Sequence, residues 1–347
     1  MTFIIGFGID SVLFYDPLTI QLIEAKMKSD QTIVFSLGSY SEFGRSIANA
    51  MGLELGAHEE RNFSDGECKT RALINVYGKN IVVVEGLFRE PGLTVHDKLC
   101  RLLFFIGSLK DAGAIGITVV VPYLCYSRKD RKTKSQDPVA TKYVAVLFES
   151  MGVDRCIALE VHNLQAFQNA FRIPTVHLEA TASFAAHFAP LLKKREVVVL
   201  SPDAGGMKRA SFFAQALENE LNVAIPVAIM HKTRSEGMVS GAEIIYGDIQ
   251  NRTVIIYDDL ISSGTTLVRA AKAAKKAGAD WVYAAATHGV FSSEANKMLA
   301  DPVLDGVVIT NSISWNLLTR QIMEKIEVID IVPMIAGKVR DLVLGSS

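Results

Sequence analysis

The sequence predicts an α/β fold built on mostly parallel sheets, and two observations carry that prediction. Short apolar runs rich in Val and Ile recur along the chain, and continuous runs of this length indicate strands that are buried on both faces. The stretches between them are typical of helices, and strands alternating with helices indicate parallel sheets flanked by helices. The predicted strands are Thr32–Phe35, Ile81–Val84, Ile117–Val121, Val197–Leu200, Val254–Tyr257 and Trp281–Ala285.

Two of the helical stretches can be placed by the residues that end them. Ser41–Met51 is followed by Gly52, and Leu267–Lys276 is closely followed by Gly278. Glycine readily adopts the left-handed conformation in which many helices end. Both stretches are therefore predicted to be helices that stop at the glycine.

One pattern occurs twice along the chain. Residues 81–122 and 254–286 each read as a strand, a loop, a helix, the sequence Ala-Gly-Ala and a second strand. The length of 347 residues also suits two domains. We therefore expect two domains of the same fold: an N-terminal extension over residues 1–30, one domain over residues 31–175 and another over residues 176–347.

Composition excludes several classes of protein. The chain has 36 Lys and Arg against 37 Asp and Glu, which argues against a protein that grips nucleic acid by its backbone. No apolar run approaches the roughly 18 residues needed to span a membrane. Positive charge is missing before Lys26, which argues against a secretory signal. The four cysteines form no C-x-x-C pair, so we expect free thiols in a reducing cytoplasm.

The strongest chemical signal follows the strand at Val254–Tyr257. Two acidic residues, Asp258 and Asp259, precede a loop of small and hydroxyl-bearing residues that opens a helix. A helix N-terminus offers free N–H groups to a phosphate, and carboxylates accept hydrogen bonds from sugar hydroxyls or hold Mg²⁺. We interpret the segment as a sugar-phosphate site, with an ordinary capped turn as the alternative. The loop residues are Ser262, Ser263, Gly264, Thr265 and Thr266.

A second loop of this kind, Ser201–Arg209, follows the strand Val197–Leu200. Its two glycines allow a ligand to approach the backbone, and Lys208 and Arg209 add positive charge. Ligands of open α/β sheets bind at the carboxyl ends of strands, so both loops are expected to serve one site. A solvated turn is the alternative.

Three further segments carry charge or a metal-binding side chain. Tyr126–Lys134 is rich in basic residues and suits a solvated loop or a triphosphate contact. His162 lies at a strand end and, with Asp203, is a candidate pair for a divalent cation, although a lone histidine is more often structural. Lys232 and Arg234 precede a Gly- and Ser-rich stretch that suits a lid over phosphates or a surface loop.

Taken together, these segments resemble the ribose-phosphate pyrophosphokinases. The resemblance covers roughly residues 31–335 and implies two phosphoribosyltransferase-type domains, each a mostly parallel sheet flanked by helices. It implies transfer of pyrophosphate from Mg-ATP to the 1-hydroxyl of ribose 5-phosphate. The segments that match in order are Phe63–Glu67, Tyr126–Lys134 running on to Pro138–Lys142, Glu160–His162, Ser201–Arg209 and Asp258–Thr266, and Lys232, Arg234 and Thr287–Ser292 also fit.

The resemblance also implies a role for each matching residue. Ribose 5-phosphate would be held by Asp258, Asp259 and the loop Ser262–Thr266. Lys232 and Arg234 would be the catalytic cations, and His162 and Asp203 would meet Mg²⁺. The pyrophosphate position would be lined by Asp203, Ala204, Gly205 and Gly206. ATP would be bound, partly across a subunit interface, by Phe63, Asp65, Glu67, Arg128, Lys129, Asp130 and His162.

Four departures from the family pattern bear on substrate choice rather than on reaction type. Lys129 stands where the family usually has Gln, and Glu160 where it usually has Asp. Ser262 replaces an Asp common in bacterial and animal members. The next four residues replace Thr-Gly-Gly-Thr, and the side chain of Thr265 is expected to crowd the backbone where a phosphate approaches.

The leading hypothesis is therefore a cytoplasmic, Mg²⁺-dependent enzyme that uses ATP and ribose 5-phosphate. The resemblance further implies a homo-oligomer, either a dimer or a hexamer built of dimers, without a nucleic-acid or membrane partner. A catalytically silent relative that regulates an active synthetase is one alternative, and retention of His162, Asp203, Lys232 and Arg234 argues against it. A phosphoribosyltransferase is the other, and the two ATP-site segments argue against that.

Overall fold

The computed structural model describes residues 28–232, 243–314 and 317–345. Within them the chain forms a five-stranded sheet, a seven-stranded sheet and a two-stranded hairpin. The strands of the two large sheets pair in parallel, except for one antiparallel pair at an edge of the second sheet. The predicted α/β fold with mostly parallel sheets is confirmed. We refer to the two sheets with their helices as the N-terminal and the C-terminal half.

In the sheet of the N-terminal half, each successive strand is added on the same side of the one before it. Its elements in chain order are β1 (Thr32–Ser36), α1 (Ser41–Ala50), β2 (His58–Asn62), β3 (Cys68–Ala72), β4 (Asn80–Val84), α2 (Val95–Asp111), β5 (Gly116–Val121), α3 (Ala140–Ser150), β6 (Arg155–Leu159), α4 (Leu164–Ala170) and β7 (Thr175–Leu178). The sheet order is β1-β4-β5-β6-β7, and β2 with β3 forms the separate hairpin.

The C-terminal half reverses direction. Its elements are α5 (Thr181–Leu192), β8 (Val197–Ser201), α6 (Met207–Leu221), β9 (Val227–Lys232), β10 (Glu243–Tyr246), β11 (Thr253–Ile261), α7 (Thr265–Lys276), β12 (Trp281–Gly289), α8 (Ala295–Leu299), β13 (Gly306–Thr310), α9 (Arg320–Met323), β14 (Ile326–Ile329) and α10 (Val332–Val343). The order β10-β9-β8-β11-β12-β13-β14 places β9 on one side of β8 and β11 on the other.

One apolar core joins the two halves. Val34 and Ile157 of the first sheet belong to the same buried cluster as Val199 and Ile255 of the second. Side chains of α1, α5 and α10 fill the space between them, and α10, at the end of the described chain, packs on α1. The carboxyl ends of strands from both sheets can therefore be held in a defined relation to each other, which a single site built from both halves requires.

The predicted strands and helix stops are confirmed to within two residues, except that two strands are longer than predicted. Gly52 and Gly278 have φ values of +76° and +92° just beyond α1 and α7. β11 and β12 extend four residues past the predicted ends because their mutual pairing continues to Ile261 and Gly289. The predicted strand ended before the polar residues Asp258 and Asp259, whereas the observed strand β11 includes both of them.

Two predictions about organisation stay predictions. The proposed extension over residues 1–30 lies almost wholly outside the described residues, and the division at residue 175 falls at the start of β7, which pairs with β6 of the first sheet. In the described part of the chain, no helix has both the length and the apolar character needed to cross a bilayer.

Candidate active site

The predicted sugar loop lies where the strand order of the second sheet reverses. Such a reversal opens a crevice at the carboxyl ends of the two strands concerned, here β8 and β11. Pairing between these strands stops at Ile256, whereas β11 continues beside β12 to Ile261. Asp258 and Asp259 therefore lie beyond the end of β8, at the crevice.

Arg209, in the first turn of α6, lies against both acids. Its Nη1 is 3.0 Å from Asp258 Oδ1, and its Nη2 is 3.6 Å from Asp259 Oδ2. Its Nε is 3.8 Å from Glu160 Oε1, a third carboxylate that comes from the N-terminal half. Because only 15% of the Arg209 side chain is exposed, water screens these pairs weakly. Arg209 thus links α6, which follows the predicted pyrophosphate loop, to Asp258 and Asp259 and to Glu160 of the N-terminal half.

Burial determines how these acids ionise. Removal from water, followed by the adjacent Asp259 carboxylate, raises the pKa of Asp258 to about 7. Burial likewise raises the pKa of Glu160 to about 7. Burial opposes ionisation of Asp259 too, but the hydrogen bond with His162 and the charge of Arg209 outweigh it and hold that pKa well below its usual range. The crevice therefore holds one firmly ionised carboxylate and two that change charge near pH 7.

His162 brings the N-terminal half into the crevice. Its Nδ1 is 2.6 Å from Asp259 Oδ2, and this hydrogen bond raises the pKa of His162. Two residues earlier, Glu160 has a φ of +42°, a left-handed conformation that is uncommon outside glycine. Nδ2 of Asn163 donates to Asp130 Oδ2 at 2.7 Å, so a predicted ATP-site residue lies beside the histidine. Residues distant in sequence thus meet in one place.

The hydroxyl-rich loop between β11 and α7 turns at Gly264. Its φ of +79° favours glycine, and a Cβ there would lie 3.3 Å from Leu299 Cδ2. Thr265, whose side chain was expected to crowd the loop, has its hydroxyl 2.9 Å from Ser263 Oγ. The N–H of Thr265, the first residue of α7, donates to Ser263 Oγ at 3.3 Å. Gly264 has no side chain to cap the helix, so the N–H groups that follow in its first turn are available to an anion.

The predicted pyrophosphate loop is organised by Asp203. Its Oδ1 accepts a hydrogen bond from the Gly206 N–H at 3.1 Å, across the 3₁₀ turn Ala204–Gly206 that leads into α6. Ser201 Oγ donates to the Asp203 carbonyl at 2.7 Å. A Cβ on Gly206 would lie 2.8 Å from Ser201 Oγ, so any larger residue here would displace the hydroxyl that binds the Asp203 carbonyl. The loop therefore has the small, backbone-lined form that a phosphate needs.

The basic segment of the N-terminal half borders a cleft. Arg128 and Lys129 line it together with Tyr123 and Tyr126, and its volume is about 320 Å³. Cations and aromatic faces are the groups that contact the phosphates and the base of a nucleotide. Asp130 directly follows Lys129 of this cleft in the sequence. Its carboxylate accepts a hydrogen bond from Asn163, the residue after His162.

The structure does not bring every predicted residue to the crevice. Phe63, Asp65 and Glu67 lie at the tip of the β2–β3 hairpin, and no hydrogen bond, ion pair or ring contact between described residues links this tip to the crevice. Arg234 lies outside the described residues, and only the backbone of Lys232 is described, at the end of β9. The roles assigned to all the site residues stay predictions.

Two crevice residues carry more than the sequence indicates. In the sequence, Arg209 is recognised only as a positive charge, and Glu160 only as a departure from the family pattern. The available signal was the position of Arg209 in the first turn of a helix that follows a glycine loop, because helical side chains lean toward the N-terminus and so toward that loop. No comparable signal pointed to Glu160, whose partner lies in the other half.

Comparison with known proteins extends over both halves. Residues 32–152 match the N-terminal domain of ribose phosphate pyrophosphokinase, and residues 239–347 match the phosphoribosyl synthetase-associated domain. The ribose-phosphate pyrophosphokinase of Fusobacterium nucleatum is 36% identical over 307 residues, which are 88% of this chain and 93% of that protein. Ribose-phosphate pyrophosphokinase 1 of Listeria innocua is 37% identical over 281 residues, or 81% and 85% of the two chains.

A solved structure shows the same architecture. The phosphoribosylpyrophosphate synthetase of Mycobacterium smegmatis superposes with a TM-score of 0.81, covers 90% of this chain and 98% of its own, and is 28% identical. The predicted pair of phosphoribosyltransferase-type units is confirmed. Since the likeness in sequence and in structure spans both halves that build the crevice, the chain belongs to the ribose-phosphate pyrophosphokinases, a family of diphosphotransferases that make phosphoribosyl diphosphate.

Proposed function

We propose that the chain transfers the pyrophosphoryl group of ATP to the 1-hydroxyl of ribose 5-phosphate, with Mg²⁺ as cofactor, and releases AMP. The hydrogen bond of 2.6 Å between His162 and Asp259 carries the proposal. It joins the proposed nucleotide side of the site, in the N-terminal half, to the proposed sugar loop in the C-terminal half. A reaction between two substrates needs such a meeting of two binding sites.

On the sugar side, Asp258 and Asp259 accept hydrogen bonds from the pentose hydroxyls. Arg209 orients both carboxylates, since each has one oxygen within 3.6 Å of its guanidinium. The 5-phosphate lies against the loop Ser262–Thr266 and the first N–H groups of α7.

On the nucleotide side, the cleft lined by Arg128, Lys129, Tyr123 and Tyr126 holds ATP. Asp130 belongs to the same segment, and its bond to Asn163 couples the position of the nucleotide to that of His162. The pyrophosphate loop around Asp203 then receives the two phosphates that are transferred.

The reaction is a displacement at the β-phosphorus. The anomeric oxygen of the pentose forms a bond to that phosphorus and loses its proton, while the bond to the oxygen that bridges to the α-phosphorus breaks and AMP leaves. Such a transfer depends on in-line positioning and on neutralisation of charge rather than on covalent help from the protein. Lys232 and Arg234 supply part of that positive charge.

The donor set suits a magnesium ion that is shared with the substrate. In residues 28–232, 243–314 and 317–345, no three His, Cys, Asp or Glu side chains cluster into a metal site made of protein alone. Mg²⁺ commonly takes one or two carboxylates and fills its remaining positions with phosphate oxygens and water. The exposed carboxylate of Asp203, with His162, would hold it, and the bound ion would neutralise charge on the transferred group.

Phosphorus NMR of a mixture of the protein, MgCl₂, ATP and ribose 5-phosphate tests the proposal. We expect the signal of a diphosphate ester on the pentose and stoichiometric AMP. Asp259→Asn should lower the rate by about 100-fold or more. His187→Gln, which changes a histidine paired with the largely exposed Glu327, is the matched control and should retain the rate.

Two outcomes contradict the proposal, the second of them in a separate incubation of the protein with phosphoribosyl diphosphate and a nucleobase. ATP that stays intact with and without the pentose would indicate a silent, regulatory relative. Release of pyrophosphate from phosphoribosyl diphosphate when a nucleobase is added would indicate a phosphoribosyltransferase.

Assembly and compartment complete the proposal. We propose a homo-oligomer, a dimer or a hexamer built of dimers, in which the hairpin tip completes the ATP site of a neighbouring subunit. The 39% exposure of Phe63 at that tip supports this arrangement, and light scattering of the purified protein tests it. The four free cysteines support a reducing cytoplasm as the place of action.

A further inference from the structure

His288, near the end of β12, is buried between the two halves of the molecule. Its side chain is among the least exposed polar groups, at 2%. Its Nε2 is 3.1 Å from the carbonyl oxygen of Leu159, the last residue of β6 in the N-terminal half. Its Nδ1 is 2.9 Å from Ser312 Oγ in its own half, and the ring of Tyr123 packs edgewise on it at 5.1 Å. The imidazole therefore bridges the two sheets.

The chemistry of the partners fixes the tautomer. A carbonyl oxygen only accepts, so Nε2 carries the proton and donates to Leu159. Burial lowers the pKa of His288 to about 4, so the ring is neutral at pH 7 and Nδ1 accepts from the Ser312 hydroxyl. Both ring nitrogens are thus engaged in protein contacts, and His288 has a structural rather than a proton-transfer role.

The Leu159 carbonyl begins the turn that delivers His162. Glu160 follows with its left-handed φ, and its N–H donates to the Leu178 carbonyl at 2.8 Å. The Val161 N–H donates to Nε2 of His177 at 3.1 Å. β7 therefore holds this turn from the N-terminal side, and His288 holds its first carbonyl from the C-terminal side.

We propose that His288 is a positioning residue that, by binding the Leu159 carbonyl, holds the turn Leu159–His162 at the separation from the C-terminal half at which His162 meets Asp259. The inference rests on the proposed function, because that function assigns His162 and Asp259 to opposite sides of one site. His288 acts through the backbone of a short turn and touches no substrate. A misplacement of a catalytic group by about 1 Å costs about 100-fold in rate, so the loss of this single hydrogen bond is expected to lower kcat strongly.

Two amide substitutions separate the two hydrogen bonds of the ring. The amide nitrogen in His288→Gln lies near the position of Nε2 and preserves a donor to Leu159. The amide oxygen in His288→Asn lies near the position of Nδ1, preserves the contact with Ser312 and loses the bond between the halves. We expect kcat of His288→Asn to fall by about 100-fold and that of His288→Gln by less than about fivefold. The Kd of ribose 5-phosphate, measured by calorimetry, should stay within about twofold in both variants, because the proposed sugar residues lie in one half.

Two further measurements distinguish positioning from a general loss of structure. In a His162→Ala background, His288→Asn should cause no further loss of kcat, because its effect passes through His162. Hydrogen exchange at the amides of Glu160 and Val161 should speed up in His288→Asn and stay slow in His288→Gln. His187→Asn, a half-buried histidine of α5, is the control and should alter neither measurement.

Equal losses in the Gln and Asn variants, or losses that add to that of His162→Ala, would overturn the proposal. So would a sugar affinity that falls in step with kcat. A wild-type protein that makes no phosphoribosyl diphosphate would refute the proposed function, whereas the exchange comparison needs no substrate and would still decide whether His288 holds the turn.

Discussion

Replacing Arg209 with methionine would remove the guanidinium that faces Glu160, Asp258 and Asp259. The three carboxylates are 3.8, 3.0 and 3.6 Å from its nitrogens, and none of the four side chains is more than 22% exposed. Methionine keeps the unbranched stem of the arginine side chain and removes the guanidinium, so the variant mainly tests the charge and its hydrogen bonds. We expect a loss of stability that grows as the pH rises.

The direction follows from the pKa values. Burial raises those of Glu160 and Asp258 to about 7 in the folded protein, compared with about 4 in an unfolded chain. These acids therefore bind protons more tightly when folded, and the wild type loses stability as the pH rises from about 4 to 7. Without the guanidinium both pKa values rise further, so the stability that these two acids contribute keeps falling above pH 7 in the variant, whereas in the wild type their contribution has levelled off.

The size of the effect follows from the same values. A further rise of about one unit in each of the two acids corresponds to about 3 kcal/mol. That figure agrees with the roughly 3–5 kcal/mol lost when a buried ion pair is broken. Asp259 is ionised from pH 5 to pH 9, so the loss of its partner contributes a constant part of the gap. The gap between the two proteins should therefore be smallest near pH 5 and larger by about 3 kcal/mol near pH 9.

Urea denaturation of both proteins at pH 5, 7 and 9 measures the gap. Arg252→Met is the matched control: Arg252 is 23% exposed, but its partners Asp248 and Glu196 are 71% and 79% exposed. Its loss should stay below about 1 kcal/mol at each pH. A gap for Arg209→Met that is constant from pH 5 to pH 9 would contradict this explanation, since it would mean that Glu160 and Asp258 do not titrate in the field of Arg209.

Three other substitutions test separate parts of the molecule. Lys98→Met removes an ammonium that lies 3.2 Å from Glu85 and 2.8 Å from Glu90 in the buried part of the N-terminal half, and should cost about 3 kcal/mol in urea denaturation at pH 7. Glu85→Gln should cost less than about 1 kcal/mol, because burial raises the pKa of Glu85 to about 8 and the group is already mostly neutral; equal losses in the two variants would contradict this account. Gly264→Ala should cost about 1–2 kcal/mol and raise the KM for ribose 5-phosphate, because it introduces a Cβ at a φ of +79°. Gly337→Ala in α10, where the Cβ meets nothing within 4 Å, should not destabilise the protein. Lys232→Ala should lower kcat by about 100- to 1000-fold with little change in ATP affinity; steady-state kinetics with unchanged turnover would reject Lys232 as a catalytic cation.

Local pattern was enough to predict the strands and the helix stops. The Val- and Ile-rich runs are buried on both faces of parallel sheets, as continuous apolar runs require. The same reasoning ended β11 too early, because polar side chains conceal backbone pairing that a neighbouring strand provides. Asp258 and Asp259 are part of β11 because that strand goes on pairing with β12. They lie at the crevice because β8, on the other side of β11, has already ended.

The site was predictable in its components and unpredictable in its contacts. The acidic pair and the glycine loops each carry a local signature of sugar or phosphate chemistry, and His162 is a candidate metal ligand by residue type. Arg209, Glu160 and His288 carry none of comparable strength, because their importance comes from partners in a distant part of the chain. Glu160 and Arg209 are 49 residues apart, since they occupy positions 160 and 209.

The positions of the strands, the helices and the glycine- and hydroxyl-rich loops follow from the amino-acid sequence alone, because hydrophobic periodicity, glycine conformation and turn chemistry act over a few residues. Which charges meet, which of them lose their water and which histidine is held neutral between the sheets depend on the three-dimensional packing of the chain. These properties depend on distance and burial, and both are set when the two halves close on a common core.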